Sequence, residues 1–154
     1  YSHLENRISV DPMPTESQIQ PASLDVRFGK EVYDIQADER VDSDVHKIEP
    51  GVRYLAHTAE TVDLPNGIAA QLAGRSTMGR KGIIIHKTAG WIDPGFKGSI
   101  TLEVMNFGTK AVEIEVGERI DQLVFFQLDH PSSGYDGHYQ GQEGATPSHD
   151  SEIS

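Results

Sequence analysis

The chain has no cysteine among its 154 residues. Disulfides, thiolate metal sites and a cysteine nucleophile are therefore excluded. Long hydrophobic runs are missing too: nothing approaches the ~18 apolar residues that a membrane span requires. The opening stretch, Tyr1 to Gln20, is polar and acidic, unlike a signal peptide, and a cytoplasmic location is the expectation. Positive charge is scarce, with 13 Lys and Arg against 24 Asp and Glu and a formal net charge of −11. A negative surface gains nothing from a nucleic-acid backbone or an anionic membrane, so neither is expected as a partner. Any polyanionic ligand must be held by a local group of arginines working against the global field. Tryptophan occurs once, at Trp91, which leaves little stacking surface for a carbohydrate-binding jelly roll.

What is present suffices for one ordinary domain with a proper core, at 36% hydrophobic and 24% charged residues. Turn signals recur at Asp11-Pro12, Phe28-Gly29, Glu49-Pro50-Gly51, Leu64-Pro65-Asn66-Gly67, Ala73-Gly74, Asp93-Pro94-Gly95, Phe107-Gly108 and Val116-Gly117. The apolar patterns between them predict strands over Val52 to His57, Ile68 to Leu72, Gly82 to His86, Ser99 to Met105, Ala111 to Val116 and Gln122 to Leu128. Short strands at this spacing predict an all-β barrel or sandwich. Helix candidates are confined to His3 to Arg7 and a turn at Ser76 to Lys81. Residues 130–154 are rich in Gly, Ser, Gln and His and poor in aliphatics. They are expected to form a tail or lid on a β-barrel body spanning 1–129.

Arg75, Ser76, Thr77 and Arg80 place two guanidinium forks and two hydroxyls near the turn amides of Gly74 and Gly79, a set that suits phosphate oxygens. The same spacing suits a helix N-terminus capped by Ser76, with solvated arginines. Asp93 lies in a Pro-Gly turn, either as an Asx turn bonding nearby amides or as an acceptor for a ribose hydroxyl. In the Ser99 to Met105 strand, Ile100, Leu102 and Val104 are expected to face the core, which turns Glu103 the other way with Thr101 and Met105. Glu103 is then an exposed strand glutamate or, where that face lines a pocket, a general acid/base tuned by burial. The histidines show no ligand spacing, and the His-x-Glu with Pro-Cys-x-x-Cys pattern of zinc deaminases is absent. Trp91 is expected in the core rather than as a stacking platform. There is neither a Walker loop nor a dinucleotide fingerprint.

Taken in order, these pieces resemble the deoxycytidine triphosphate deaminase family of the trimeric deoxyuridine triphosphatase superfamily. Gln20-Pro21-Ala22-Ser23-Leu24-Asp25-Val26-Arg27 resembles the family's early strand. Gly74 to Arg80 resembles its Gly-Arg-Ser-Ser-x-x-Arg phosphate motif, with Thr77 for the second serine. Ile92 to Glu103 resembles its Ile-Asp-Pro-Gly-Phe-x-Gly-x-Ile-Thr-Leu-Glu motif. Arg119-Ile120-Asp121-Gln122-Leu123 and Tyr139-Gln140-Gly141-Gln142 resemble its later motifs. Each piece is short, but the ordered set is specific. The fold this implies is a distorted, jelly-roll-like β-barrel, assembled as a homotrimer with active sites between subunits and a mobile C-terminal tail.

The resemblance also implies a zinc-free reaction. Glu103 would activate water for attack on cytosine C4 and relay protons to N3 and the departing ammonia, with Ser76 and Arg80 orienting the water and stabilising charge. Thr101, Leu102 and Glu103 would read the base edge, and Asp93 the deoxyribose 3′-hydroxyl. Arg75, Ser76, Thr77, Met78, Gly79 and Arg80 would hold the nucleotide, joined by Gln122 and, from the tail, Tyr135, His138 and Gln142. Magnesium would travel with the phosphates and take no direct protein ligand. His138 stands where family members often carry Lys before the Tyr-Gln-Gly-Gln run, and the segment from Tyr135 to Tyr139 is short. Thr88-Ala89-Gly90-Trp91-Ile92-Asp93 resembles the bifunctional branch, which also hydrolyses the product to dUMP and pyrophosphate. The purely deaminating branch tends to bulkier or polar residues at the positions of Gly90 and Trp91. The expectation is therefore dCTP deamination ending at dUMP, with dTTP as a candidate inhibitor. The alternatives are a deaminase that stops at dUTP, a pure dUTP diphosphatase and a non-catalytic deoxynucleotide sensor.

Overall fold

The longest alternating segment of the chain builds the centre of the molecule. Arg53–Asp63 (β6) buries Tyr54, Ala56, Thr58, Glu60 and Val62 and turns the residues between them outward, as a strand with one face on a core must. The computed structural model describes residues 7–86, 90–133 and 140–146. Lys97–Asn106 (β10) runs antiparallel along β6. Ser9–Asp11 (β1), the hairpin of Glu31–Asp34 (β3) and Glu39–Asp42 (β4), and Ile83–His86 (β8) complete a six-stranded sheet of order β4-β3-β6-β10-β8, with β1 beside the end of β6. Leu24–Arg27 (β2), Ile68–Gly74 (β7), Trp91–Ile92 (β9) and Arg119–Gln127 (β12) form a four-stranded sheet of order β2-β12-β7-β9. Val45–Ile48 (β5) pairs with Val112–Glu115 (β11). Ser76–Arg80 (α1) follows β7, and a single 3-10 turn, Glu16–Gln18, precedes β2.

The sheets close on one shared core. Val26 comes from β2, Ile48 from β5, Ala56 from β6, Leu72 from β7, Ile100 and Leu102 from β10, Ile114 from β11 and Leu123 from β12. Each aliphatic side chain of Val or larger size removed from water contributes roughly 1.5–3 kcal/mol. A buried polar tie joins the two larger sheets. Glu60 on β6, with no exposed surface, accepts the backbone N–H of Arg27 on β2 at 2.6 Å and lies 3.6 Å from that residue's Nε. Desolvation raises its pKa, and the contacts with Arg27 oppose that rise.

One irregularity positions the outer face of β10. The β10–β6 register shifts between Ser99 and Thr101. Thr58 fills the gap, its Oγ1 accepting from Ile100 N at 3.0 Å and donating to the carbonyl of Glu60 at 2.7 Å. Bulges of this kind re-aim a strand's side chains. Beyond it Leu102 and Val104 point into the core, whereas Thr101, Glu103 and Met105 face out.

The all-β expectation holds, and the six strands expected from periodicity are β6, β7, β8, β10, β11 and β12. The β3–β4 hairpin is new. β4 is exposed at every position and so shows no alternation. Its turn is held instead by Asp34, whose Oδ1 accepts from Gln36 N and Ala37 N. The helix candidate at His3 to Arg7 lies almost wholly outside the described residues.

Candidate active site

The expected phosphate residues gather where β7 runs into α1. Met78 anchors the helix with its side chain 2% exposed in the core, so only its backbone can serve a ligand. Ser76, Thr77, Gly79 and Arg80 are exposed around it. Arg75, not Ser76, is the N-cap residue, and the helix has no side-chain capping bond. The capping alternative for Ser76 therefore fails: its hydroxyl sits one position too far along to accept from the first turn.

Arg75 is held rather than solvated. Its Nε lies 3.5 Å from Asp25 Oδ2, and its Nη1 donates to the carbonyl of Arg119 at 2.9 Å. Arg119 Nη1 reaches the same Asp25 oxygen at 3.2 Å and the carbonyl of Ser17 at 2.8 Å. The Asp25 side chain is only 2% exposed, so one buried carboxylate orients two guanidinium groups. Gln122 lies in register with Asp25. Its Oε1 accepts from Ser23 Oγ at 3.0 Å, and its Nε2 donates to the carbonyl of Gly74 at 3.2 Å. Asp25 and Arg119 lie in two of the motif segments, and the resemblance assigns neither a role. Their partnership spans 94 positions in the chain, which no local pattern reveals.

Next along β12, Asp121 is 1% exposed and faces Val26 and Gly74 across the ladder. Both carboxylate oxygens are enclosed without a hydrogen-bond partner. Burial pushes its pKa up to about 8, since nothing nearby compensates the charged form.

The residues expected to act on the base lie on the six-stranded sheet. Glu103 is exposed on the outer face of β10, opposite Leu55 and His86, with half-buried Thr101 two residues before it. Leu102 has no exposed surface, so its side chain belongs to the core and only its peptide groups can meet a ligand. The Asp93 turn is closed by the backbone, Phe96 N donating to Asp93 O at 3.2 Å. The Asp93 carboxylate is exposed and makes no hydrogen bond among the described residues, so the Asx-turn alternative is not what the turn uses.

The tail is not passive where it is described. Gly141 N donates to Lys97 O at 2.6 Å and Ser99 N to Gln142 O at 3.0 Å. Gln142 Nε2 donates to Ser99 O at 2.7 Å, and Thr146 N to Thr101 Oγ1 at 3.2 Å. Gln142 Oε1 is enclosed and lacks a donor. The segment from 140 to 146 thus lies along β10 and reaches the residue two before Glu103. Tyr135 and His138 lie outside the described residues, as do Thr88 and Ala89.

Gly90 and Trp91 sit at the edge of the four-stranded sheet, the Gly90 carbonyl accepting from Leu72 N at 2.8 Å. Trp91 is 45% exposed and packs on Phe126 with ring centroids 5.3 Å apart. The expectation of a core tryptophan is corrected: β9 is an edge strand two residues long, and Trp91 alternates outward from buried Ile92.

No group of three or more His, Asp or Glu side chains able to hold a metal ion occurs among the described residues. The donors near α1 are guanidinium, amide and hydroxyl groups, which fit phosphate oxygens rather than a bare hard cation. Magnesium fits this site as a companion of a bound phosphate chain.

Comparison with known proteins gives this geometry a context. The chain is 40% identical over 171 aligned residues to a dCTP deaminase, dUMP-forming, of Bifidobacterium animalis subsp. lactis, covering 96% of this chain and 88% of the relative. In structure it is similar to the 2′-deoxycytidine 5′-triphosphate deaminase of Agrobacterium tumefaciens at a TM-score of 0.67 and 24% identity, over 77% of this chain and 42% of that one. It also superposes on a mutant dUTPase of phage phi11 of S. aureus, described with a structural Mg(II) ion, at a TM-score of 0.60 and 18% identity, over 85% and 97% of the two chains. The last two likenesses speak for the fold alone. Residues 2–128 match the family model described as dCTP deaminase-like, and with the identity to the curated relative this shows that the chain belongs to that family.

Proposed function

We propose that the protein hydrolyses dCTP without zinc, releasing ammonia, and cleaves the resulting triphosphate to dUMP and pyrophosphate. The observation that carries this reading is the placement of Glu103 on the outer face of β10, two residues after Thr101, whose hydroxyl oxygen accepts from Thr146 N of the docked tail. Glu103 takes a proton from water as its oxygen bonds to cytosine C4, and the proton passes to N3. A second transfer to the exocyclic nitrogen lets the C4–N bond break and ammonia leave. Ser76 and Arg80 orient the water and stabilise the charge that develops. The Asp93 carboxylate accepts from the 3′-hydroxyl. Arg75 to Arg80, Gln122, Gln142, Tyr135 and His138 hold the base and phosphates. Gln142 Oε1, enclosed without a donor, is an acceptor for which a ligand N–H or O–H would provide the partner.

A single chain leaves Glu103 open to water, whereas a general base works best partly desolvated. A homotrimer with sites between subunits would cover this face and bring a neighbour's arginines to it. Magnesium bound with the triphosphate would neutralise part of its charge. Cytoplasmic location, inhibition by dTTP, and the absence of nucleic-acid and membrane partners belong to the same reading. Gly90 and Trp91 favour the bifunctional branch, as does a relative at 40% identity named dUMP-forming. The dUTPase likeness stands at 18%, and Thr101-Leu102-Glu103 sets the chain apart from a pure diphosphatase.

Incubation with dCTP and magnesium, with chromatography of nucleotides and an ammonia assay, tests the proposal. Ammonia with dUMP and pyrophosphate is the expected result. Accumulating dUTP would restrict the activity to deamination. Untouched dCTP with hydrolysis of added dUTP would remove Glu103 from its role.

A further inference from the structure

We propose that Glu31 and Arg40, on the β3–β4 hairpin, form a latch that seats residues 140–146 along the free edge of β10 and thereby sets nucleotide affinity. The inference rests on the reading of the site given above, and it makes both side chains positioning residues remote from the chemistry. β10 has one edge on β6 throughout, but its other edge meets β8 only from Glu103 to Asn106. The stretch from Lys97 to Thr101 would otherwise present unpaired backbone groups. The tail supplies partners for those of Lys97 and Ser99 through Gln140, Gly141 and Gln142, and Thr146 N donates to the Thr101 hydroxyl. Backbone pairing alone fixes neither where the tail stops nor its register.

The hairpin adds that register. Glu31 Oε1 accepts from Ala145 N at 3.2 Å, and Arg40 Nη1 donates to Ala145 O at 3.1 Å. Both backbone groups of one residue are thus read by an acid and a base that are themselves ion-paired. Ala145 is 1% exposed, so its own peptide groups are shielded although Arg40 and Glu31 stay 47% and 28% exposed, and hydrogen bonds to charged groups are stronger than neutral ones. Glu31 is itself tied down, its backbone N–H donating to His57 Nε2 at 3.2 Å, and His57 lies in register with Thr101.

Two glycines make room for this seat. A Cβ on Gly98 would stand 2.8 Å from Gln142 O, a backbone atom that cannot turn aside. Gly144 has φ +66°, and a Cβ there would meet Glu31 Oε1 at 2.9 Å. The tail is therefore matched to its seat from both sides. If closure precedes or accompanies nucleotide binding, weakening the latch lowers the fraction of competent protein. Apparent affinity falls by that fraction, while turnover at saturation is retained.

The test compares the full-length protein with Arg40→Ala, Arg40→Lys, Gly144→Ala and the Arg40→Ala/Gly144→Ala double variant. Amide hydrogen exchange without nucleotide gives the first readout. The amides of Gly141, Ala145 and Thr146 should be protected in the natural chain, with protection lost in Arg40→Ala and partly kept in Arg40→Lys. The second readout is steady-state kinetics with dCTP and magnesium. KM should rise about three- to tenfold in either single variant with kcat within about twofold. The double variant should show less than the product of the two effects, because both break one contact. Unchanged tail protection in Arg40→Ala would overturn the latch, as would multiplicative effects in the double variant. Lost protection with unchanged KM would overturn its control of affinity. If the natural chain leaves dCTP untouched, the proposed activity falls, and the exchange data still decide whether the latch exists.

Discussion

The two halves of the candidate site are built on opposite principles. The arginine half is finished within one chain: Asp25, 2% exposed, orients Arg75 and Arg119, and Gln122 is engaged at both ends. The glutamate half is open. Glu103 is exposed on its strand, and what covers its neighbours is a tail held by backbone pairing. Under the roles proposed for them, the difference follows from what each half does. Phosphate recognition gains from donors fixed before the ligand arrives, since no reorganisation is then required. Proton transfer to a buried base needs a site that admits substrate and then excludes water.

Glu103→Gln separates the halves most sharply. Ammonia release from dCTP should fall about 10²–10⁴-fold, the range for loss of a positioned general base. dCTP binding by calorimetry should stay within about threefold, because the phosphate half is intact. Ammonia release near the natural rate would merge the two halves and end the assignment of Glu103. Asp25→Asn strikes the other half. It leaves two guanidinium groups beside a neutral amide in a mostly buried place, and breaking a buried pair costs several kcal/mol. Arg119 is 38% exposed, which reduces that figure to about 2–3 kcal/mol. The urea midpoint should drop with an unchanged m-value, and dCTP affinity should weaken. An unchanged midpoint would mean that the arginines need no such partner.

Each half was legible in part from the sequence. Strand alternation located β6 and β10, and with them the outward face of Glu103, because a period of two needs only one buried face. The Gly-Arg-Ser-Thr turn located α1, on which the proposed phosphate residues lie. The pairing of Asp25 with Arg119 was not legible, since it depends on two strands meeting from distant parts of the chain. The docking of the tail was hidden for another reason. Its bonds run mainly through backbone groups of Gly141, Gln142, Ala145 and Thr146, and its specificity lies in the absence of side chains at Gly98 and Gly144. Composition reports such a segment as unable to bury much surface, which overlooks Ala145, 1% exposed, and says nothing of its peptides. The β3–β4 hairpin escaped for a similar cause, with β4 exposed throughout.

Asp121 sharpens the comparison at its weakest point, because the finished half contains one group that nothing completes. Its pKa is pushed up to about 8, against roughly 4 for an unperturbed aspartate. The native chain therefore keeps a proton that the unfolded chain has released between those values. The stability this group provides is whole below about pH 4 and declines by up to about 1.4 kcal/mol per pH unit as pH rises. It is lost by about pH 8, where the native carboxylate ionises in turn. Glu60, also raised by burial, acts in the same direction, so the slope of the whole protein is not due to Asp121 alone. The informative quantity is the difference from Asp121→Asn, which keeps the shape and removes the titration. Near pH 5 the two proteins should unfold at similar urea concentrations, the unpartnered amide standing in for an unpartnered acid. Near pH 8 the variant should be more stable by up to about 4 kcal/mol, the loss of about 1.4 kcal/mol per pH unit that the natural chain accumulates over those three units. A difference between the two that does not change with pH would mean that the carboxylate finds a donor in the folded protein, and the arginine half would then be complete.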